Sequence, residues 1–248
     1  MLFRFVRPLY VAWGFFWFIV PFLLFYPLIW LIIQREKWHR YYFPIARLWA
    51  TIFYGMMFLP VKSIWKFKPE KGKVYVFCPN HFSYLDIALL TRTLHAFYAF
   101  VGLHDLKRFP LFGYMYKHLH ITVDRSSAKD RHRTYQRYKE ALQKGKQLVV
   151  FPEGGIWAKN PPNMANFKEG PFKVAIEMQV PIVPVTIPYN WRILYTIALK
   201  SFHWHRSVVV FHEPIPTIGL TLQDVNMLKE KTFQMIAEEL MVWNKSRK

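Results

Sequence analysis

The stretch Val74-Tyr75-Val76-Phe77-Cys78-Pro79-Asn80-His81-Phe82-Ser83-Tyr84-Leu85-Asp86 decides how this chain is read. Residues 74–78 form a short run of apolar, β-favouring side chains, the signature of a buried strand. Pro79-Asn80 closes that run with turn chemistry. Helix is expected after Tyr84. An imidazole and a carboxylate therefore stand five positions apart where a strand gives way to a helix. A His that takes a proton from an alcohol needs a partner to fix its tautomer and stabilise the imidazolium. Asp86 supplies one if the first helical turn folds it back onto His81. The plainer alternative is a surface His beside a helix-start acid, a common pairing because helix N-termini favour negative charge.

A second stretch has the same form. Gln147-Leu148-Val149-Val150 runs into Phe151-Pro152-Glu153-Gly154-Gly155, again a buried strand ending in a loop with an acid and two glycines. Glycines at a strand end let backbone approach a ligand and present N–H groups to it. Taken alone, Glu-Gly-Gly is also an ordinary turn.

Outward from these two stretches, short apolar runs alternate with helical patterns. Strands are expected around residues 96–101, 121–123, 182–187 and 208–211, and helices over 128–143 and 171–178. Thr221-Leu222-Gln223-Asp224 reads as a capping box opening a last helix that runs toward Trp243. This alternation predicts an α/β fold, a mixed sheet flanked by helices, preceded by an N-terminal membrane-inserting helical segment. The division expected is residues 1–60 as membrane anchor and 61–248 as the catalytic domain.

The N-terminal expectation rests on composition. No charged residue occurs from Pro8 to Gln34, a run longer than the ~20 residues a straight span needs. Pro21 and Pro27 are expected to interrupt it. Arg4 and Arg7 precede it, and Arg35, Lys37 and Arg40 follow, so the positive-inside tendency favours both flanks on the cytosolic side. A helix that breaks, dips in and returns satisfies this; a simple span followed by an interfacial helix is the alternative. Trp13, Trp17, Trp30, Trp38 and Trp49 suit a headgroup-level belt. The segment lacks the small-residue cleavage site of a secretory signal.

The chain as a whole is 53% hydrophobic and 19% aromatic, with 34 Lys and Arg against 15 Asp and Glu, a formal charge of +19. Such a surface suits nucleic acid or anionic lipid. The apolar N-terminus selects lipid, and no recognition-helix, zinc or RNA-binding signature supports nucleic acid. His104, His118 and His120 have no metal-ligand spacing, and no metal is expected. Cys78, the single cysteine, reads as a small core residue. The basic stretch 129–146 is either a solvated helix face or a surface that receives an anionic partner.

Together, in this order, the motifs resemble the glycerolipid acyltransferase family. Its first motif is matched by Asn80, His81 and Asp86. Its second is matched by Pro110, Phe112-Gly113 and Asp124-Arg125, its third by Phe151 to Gly154, and its fourth by the apolar Val180 to Val185. The resemblance covers roughly residues 74–215. It implies that His81 is the general base, taking a proton from an acceptor hydroxyl that attacks an acyl thioester, with Asp86 orienting it. No serine or cysteine nucleophile is then required. Glu153 binds the acceptor or orders its loop, Gly154 lets backbone approach the reacting carbonyl or is a turn glycine, and Arg125 grips a phosphate or carboxylate or pairs with Asp124. Lys168, in Phe167-Lys168-Glu169-Gly170, is a further substrate-binding cation or a solvated one. Two departures bear on the acceptor. Gly155-Ile156 stands where the family has Thr-Arg, and Leu103 stands where it has Lys; both are cations associated with substrate phosphate.

The function expected is a membrane-bound O-acyltransferase at the cytosolic face of the inner (cytoplasmic) membrane. Its partners are membrane lipids, a lysolipid acceptor and an acyl-coenzyme A or acyl carrier protein co-substrate, with no cofactor. The leading acceptor is 1-acyl-sn-glycerol-3-phosphate. The runner-up is a lyso-aminolipid such as an N-acyl amino acid lipid, and a non-catalytic lipid-binding protein is the rival of another class.

Overall fold

The computed structural model describes residues 3–103, 109–123, 128–194 and 203–245. The chain divides into two compact units. A helical unit comprises Met1–Ser63, Phe82–His95 and Tyr189–Val208; a sheet unit comprises Ile64–His81, Ala96–Pro188 and Val209–Lys248.

In the helical unit, α1 (Phe3–Ile33) is one continuous helix with Pro8, Pro21 and Pro27 inside it. The expected break at Pro21 and Pro27 is not there. Each proline removes one backbone donor, a loss an apolar helix absorbs while the rest of its ladder stays intact. The chain reverses instead after Ile33, through a 3₁₀ turn at Glu36–Tyr41, into α2 (Tyr42–Met56). The two helices run antiparallel, and aromatic donors lace them together. Trp49 Nε1 donates to the Phe18 carbonyl at 2.9 Å. Tyr10 and Trp13 donate to the Met57 and Met56 carbonyls, both at 2.7 Å, and Trp204 donates to the Phe58 carbonyl at 2.7 Å. Three side chains thus satisfy carbonyls that the end of α2 leaves without intrahelical partners. Gly14 permits the close approach: a Cβ there would meet the Met57 methyl at 3.1 Å. The opposite face of α1 is apolar and exposed, with Phe15, Phe16, Leu23 and Leu24 outward. Residues Pro8–Ile33, 26 in all, are long and apolar enough to cross a membrane. Helix α3 (Leu85–Thr93) packs on α2, where the Tyr54 hydroxyl donates to the Leu85 carbonyl at 3.3 Å.

In chain order the strands are β1 (Val61–Trp65), β2 (Val76–Pro79), β3 (Tyr98–Leu103), β4 (Ile121–Val123), β5 (Gln147–Val149), β6 (Ile182–Thr186) and β7 (Ser207–Phe211). They form one mixed sheet in the order β1-β7-β6-β2-β5-β3-β4. Strands β2 to β6 lie wholly in the sheet unit, all mutually parallel where paired; β7 is antiparallel to β6. Strand β2 is central, with Phe77 opposite Val149 on one side and Val183 on the other. All four of its residues are buried, as a parallel strand covered on both faces requires. Cys78 belongs to that core, and burial pushes its thiol pKa up, away from nucleophilic chemistry. The helices of the sheet unit are α4 (Phe112–Leu119), α5 (Ala128–Gln143), α6 (Gly170–Glu177) and α8 (Val225–Lys245). A short helix, α7 (Asn190–Ile193), belongs to the helical unit. The capping box is present: the Thr221 N–H donates to Asp224 Oδ2 at 2.8 Å, one 3₁₀ turn before α8.

Two histidines of the sheet unit are buried neutral. His120 sits among Tyr98, Phe100 and Tyr116, its Nδ1 facing the Phe100 N–H at 3.4 Å. Burial, then the Lys146 charge, lowers its pKa to about 3. His212 Nε2 shares a 2.8 Å hydrogen bond with Thr186 Oγ1; burial, then Lys66, lowers its pKa to about 4 against a smaller opposing effect of Glu239. Unfolded histidine takes up a proton near pH 6.5. Below that pH the unfolded chain binds protons that the fold refuses, so stability is complete above 6.5 and falls as the pH drops toward 4. Two such groups give a slope of up to about 2.7 kcal/mol per pH unit. Denaturant unfolding at stepped pH should show this fall, and His120→Phe should remove about half of it.

Candidate active site

Both motif loops leave the sheet at the C-terminal ends of adjacent parallel strands, β2 and β5, where open α/β sheets place their ligands. Pro79 ends β2 because it has no N–H to give the ladder. Asn80 then acts as a substitute strand residue. Its N–H donates to the Val185 carbonyl at 3.3 Å, its Nδ2 donates to the Ile187 carbonyl at 3.0 Å, and its Oδ1 accepts the Ile187 N–H at 2.7 Å. An aspartate there would lack the side-chain donor.

His81 ends the first segment of the sheet unit. Its backbone N–H donates to Glu153 Oε1 at 2.7 Å, and its ring stacks on Phe151 with centroids 3.8 Å apart and planes 20° off parallel. Stacking occupies the face of the imidazole; proton chemistry belongs to its edge. Glu153 is 1% exposed, and its other oxygen accepts the Ala165 N–H at 2.8 Å. This carboxylate ties three segments together, a loop-ordering role. Gly154 closes the turn, its N–H donating to the Phe151 carbonyl at 3.0 Å with φ at 81°, a left-handed conformation that favours glycine. Next to it, a Cβ on Gly155 would lie 2.6 Å from the Trp157 indole nitrogen. Lys168 joins the loop through its backbone, donating to the Pro152 carbonyl at 2.7 Å, and is itself exposed.

Asp86 lies in the helical unit, in the first turn of α3, and is fully buried. Its Oδ2 accepts the N–H groups of Phe82 at 2.9 Å and Ser83 at 3.0 Å, while its Oδ1 accepts Nδ2–H of Asn190 at 2.9 Å. Ser83 Oγ in turn accepts the Leu85 N–H at 3.2 Å, so Ser83 and Asp86 act as a reciprocal cap on the helix start.

The sequence-read residues are thus placed as follows. His81, Glu153, Gly154 and the Lys168 backbone come together in the sheet unit. Asp86 grips the chain immediately after His81. Arg125 lies outside the described residues, as does His104. His118 is exposed on α4, and no group of three or more His, Cys, Asp or Glu side chains able to hold a metal occurs among the described residues. Sequence reasoning missed Asn190 and gave Phe151 no role beyond its motif.

The acyltransferase family model matches residues 61–188, just over half of the chain. The chain belongs to the acyltransferase family. Its class of chemistry is therefore that of an acyl-transferring enzyme. It is 29% identical over 191 residues to an uncharacterized acyltransferase of Schizosaccharomyces pombe, covering 75% of this chain and 68% of that protein. It is 29% identical over 206 residues to a 1-acyl-sn-glycerol-3-phosphate acyltransferase of Saccharomyces cerevisiae, covering 82% and 67%. It spans about half the length of a chloroplast 1-acyl-sn-glycerol-3-phosphate acyltransferase of Brassica napus, 51%. The crystal structure of PlsC, the 1-acyl-sn-glycerophosphate acyltransferase of Thermotoga maritima, shares the fold: TM-score 0.78 at 19% identity, covering 97% of both chains.

The role of Glu153 is testable. Charged hydrogen bonds are worth about 1.5–3 kcal/mol each, and Glu153→Ala strands the buried His81 N–H and the half-buried Ala165 N–H. The variant should lose about 3 kcal/mol or more of unfolding free energy in denaturant titration. Glu153→Gln, which keeps one carbonyl acceptor, should lose less.

Proposed function

We propose that this chain moves a fatty acyl group from a thioester donor, acyl-coenzyme A or acyl–acyl carrier protein, to the free hydroxyl of a lysolipid. The observation that carries the reading is the Asn80-His81 and Asp86 motif, set where the central parallel strand β2 runs into α3, with the Asp86 carboxylate fully buried. His81 takes the hydroxyl proton as the lysolipid oxygen attacks the thioester carbonyl. The tetrahedral intermediate collapses, the C–S bond breaks, and the imidazolium returns its proton to the leaving thiolate. Asp86 stabilises the imidazolium in between. A carboxylate has about four acceptor sites, enough for an imidazole N–H besides the three donors described above.

The leading acceptor is 1-acyl-sn-glycerol-3-phosphate, giving phosphatidate; several relatives carry that activity in their names. A lyso-aminolipid is the second reading, favoured by Leu103 and Ile156 where the family has cations. Arg125 and Lys168 are the acceptor-binding cations of either reading. The site of action proposed is the cytosolic face of the inner membrane, with residues 1–60 as the attachment.

The deciding experiment supplies purified protein with one labelled acyl donor and a panel of lysolipids of matched chain length. Transfer to lysophosphatidate with the highest kcat/KM is expected, and a lyso-aminolipid far ahead of it would transfer the assignment. His81→Ala should lower turnover by about 10²–10⁴-fold without unfolding the protein. Asp86→Asn should also impair it, since an amide does not stabilise imidazolium. Near-normal turnover by a folded His81→Ala protein would defeat the mechanism.

Attachment has its own test. Because α1 is unbroken, a return within one leaflet requires the helix to lie along the interface with its exposed aromatic face in lipid. Cysteines at Arg7 and Arg40, in a protein with Cys78 replaced, should then be labelled from the same side of sealed vesicles. Opposite-side labelling would mean that α1 spans.

A further inference from the structure

A second layer of buried polar groups stands behind Asp86, and no motif accounts for it. Asn190 Nδ2 donates to Asp86 Oδ1 at 2.9 Å, and the Ser207 hydroxyl donates to Asn190 Oδ1. Asp86, Asn190 and Ser207 all have 0% exposure. The direction of this chain is determined. An amide oxygen only accepts and its nitrogen only donates, so Asn190 must turn its nitrogen to the carboxylate and its oxygen to the hydroxyl. A flipped amide would set oxygen against carboxylate.

Each member is anchored by backbone. The Ser207 N–H donates to the Pro60 carbonyl at 2.8 Å. The Leu194 N–H donates to the Asn190 carbonyl at 2.9 Å, and the Ser83 hydroxyl donates to the Leu194 carbonyl at 2.7 Å. Helix α7 is thereby pinned to both ends of the Ser83–Asp86 turn, through Leu194 to Ser83 and through Asn190 to Asp86. The Tyr54 hydroxyl adjoins both Ser207 and Asn190.

The effect on Asp86 follows from where its donors sit. Two backbone N–H groups hold Oδ2. The Asn190 amide donates to Oδ1, on the other side of the carboxylate, and so bears directly on the orientation of its plane. We propose that Asn190, held by Ser207, is a positioning residue that sets the orientation of the catalytic Asp86 carboxylate. The inference rests on the His81–Asp86 reading above. It adds residues that lie 104 and 121 positions from Asp86 in sequence and outside the motifs.

The consequences are specific. A misplacement of catalytic groups by about 1 Å costs about 100-fold in rate, so Asn190→Ala should lower kcat by about 10- to 100-fold with KM for both substrates little changed. Ser207→Ala should lower kcat less, because the amide stays in place without its lock. In the double variant Ser207→Ala should add nothing to Asn190→Ala, because Ser207 acts only through Asn190. Asn190→Asp places a second buried carboxylate against Asp86. Two such groups ionise in sequence, and the second negative charge, once formed, favours imidazolium. The acid limb of the kcat/KM profile should therefore move up by about half to one pH unit.

A purely structural Asn190 would lower the unfolding midpoint and leave kcat per folded molecule and the pH profile unchanged, which would overturn the proposal. Additive losses in the double variant would overturn it as well. Should Asn190→Ala not fold, Asn190→Asp and Ser207→Ala carry the test. The pH dependence of His81 carbethoxylation by diethylpyrocarbonate, followed by peptide mass spectrometry, gives the same answer without turnover. Its midpoint should rise in Asn190→Asp and match wild type if the proposal is wrong. Wild-type protein that transfers no acyl group to any lysolipid defeats the function proposed above, and the carbethoxylation profile still decides the role of Asn190.

Discussion

Three consecutive backbone N–H groups, those of His81, Phe82 and Ser83, all donate to buried carboxylates: the first to Glu153, the other two to Asp86. This arrangement sets the rest of the site. A carboxylate out of water is tolerable only where donors replace its hydration. Here the donors come from the short segment that must be held still. Each carboxylate in turn fixes the backbone that donates to it. Conformational entropy lost at this turn, about 1–2 kcal/mol per residue, is offset by charged hydrogen bonds worth about as much each.

The central part of the fold is legible in the sequence because its signals are local. Buried parallel strands read as unbroken apolar runs, and β2 ends in a proline that cannot continue the ladder. The capping box before α8 is equally local. Strand β1 escaped because Lys62 and Ser63 are exposed and interrupt its apolar pattern, as befits the sheet edge. Helix α4 escaped because it is short, 8 residues, and opens with Phe-Gly after a proline. Of the site, His81, Asp86 and Glu153 carry motif signatures; what each touches does not. Asn190 reaches Asp86 across 104 residues, and no local pattern encodes a contact of that separation.

The prolines of α1 show where a local rule loses to its surroundings. In water, Pro21 and Pro27 would end a helix, because the exposed carbonyls they leave are as well served by solvent in any conformation. In an apolar helix the alternative is worse, since a broken helix exposes several unsatisfied groups instead of one. The same reasoning explains why Tyr10, Trp13 and Trp204 aim their donors at the carbonyls of Met57, Met56 and Phe58. Aromatic side chains with one polar atom each complete this helix end.

Charge and specificity separate at this site. A formal charge of +19 raises the concentration of any anionic lipid or donor near the protein, and it does so for phosphates and carboxylates alike. Discrimination requires directional donors at fixed positions. A phosphate monoester brings close to two charges and three acceptor oxygens, whereas a carboxylate brings one charge and matches a single guanidinium. Leu103 and Ile156 remove two cations from the family pattern, and Lys168 holds its loop through backbone while its side chain is exposed. In the function proposed above, acceptor recognition therefore rests on Arg125 and Lys168. In the mechanism proposed above, the chemistry depends on none of these groups. A base, its carboxylate and the hydrogen bonds that hold them serve any hydroxyl the acceptor pocket admits. For that reason, the His81 and Asp86 motif can be retained while the acceptor cations change.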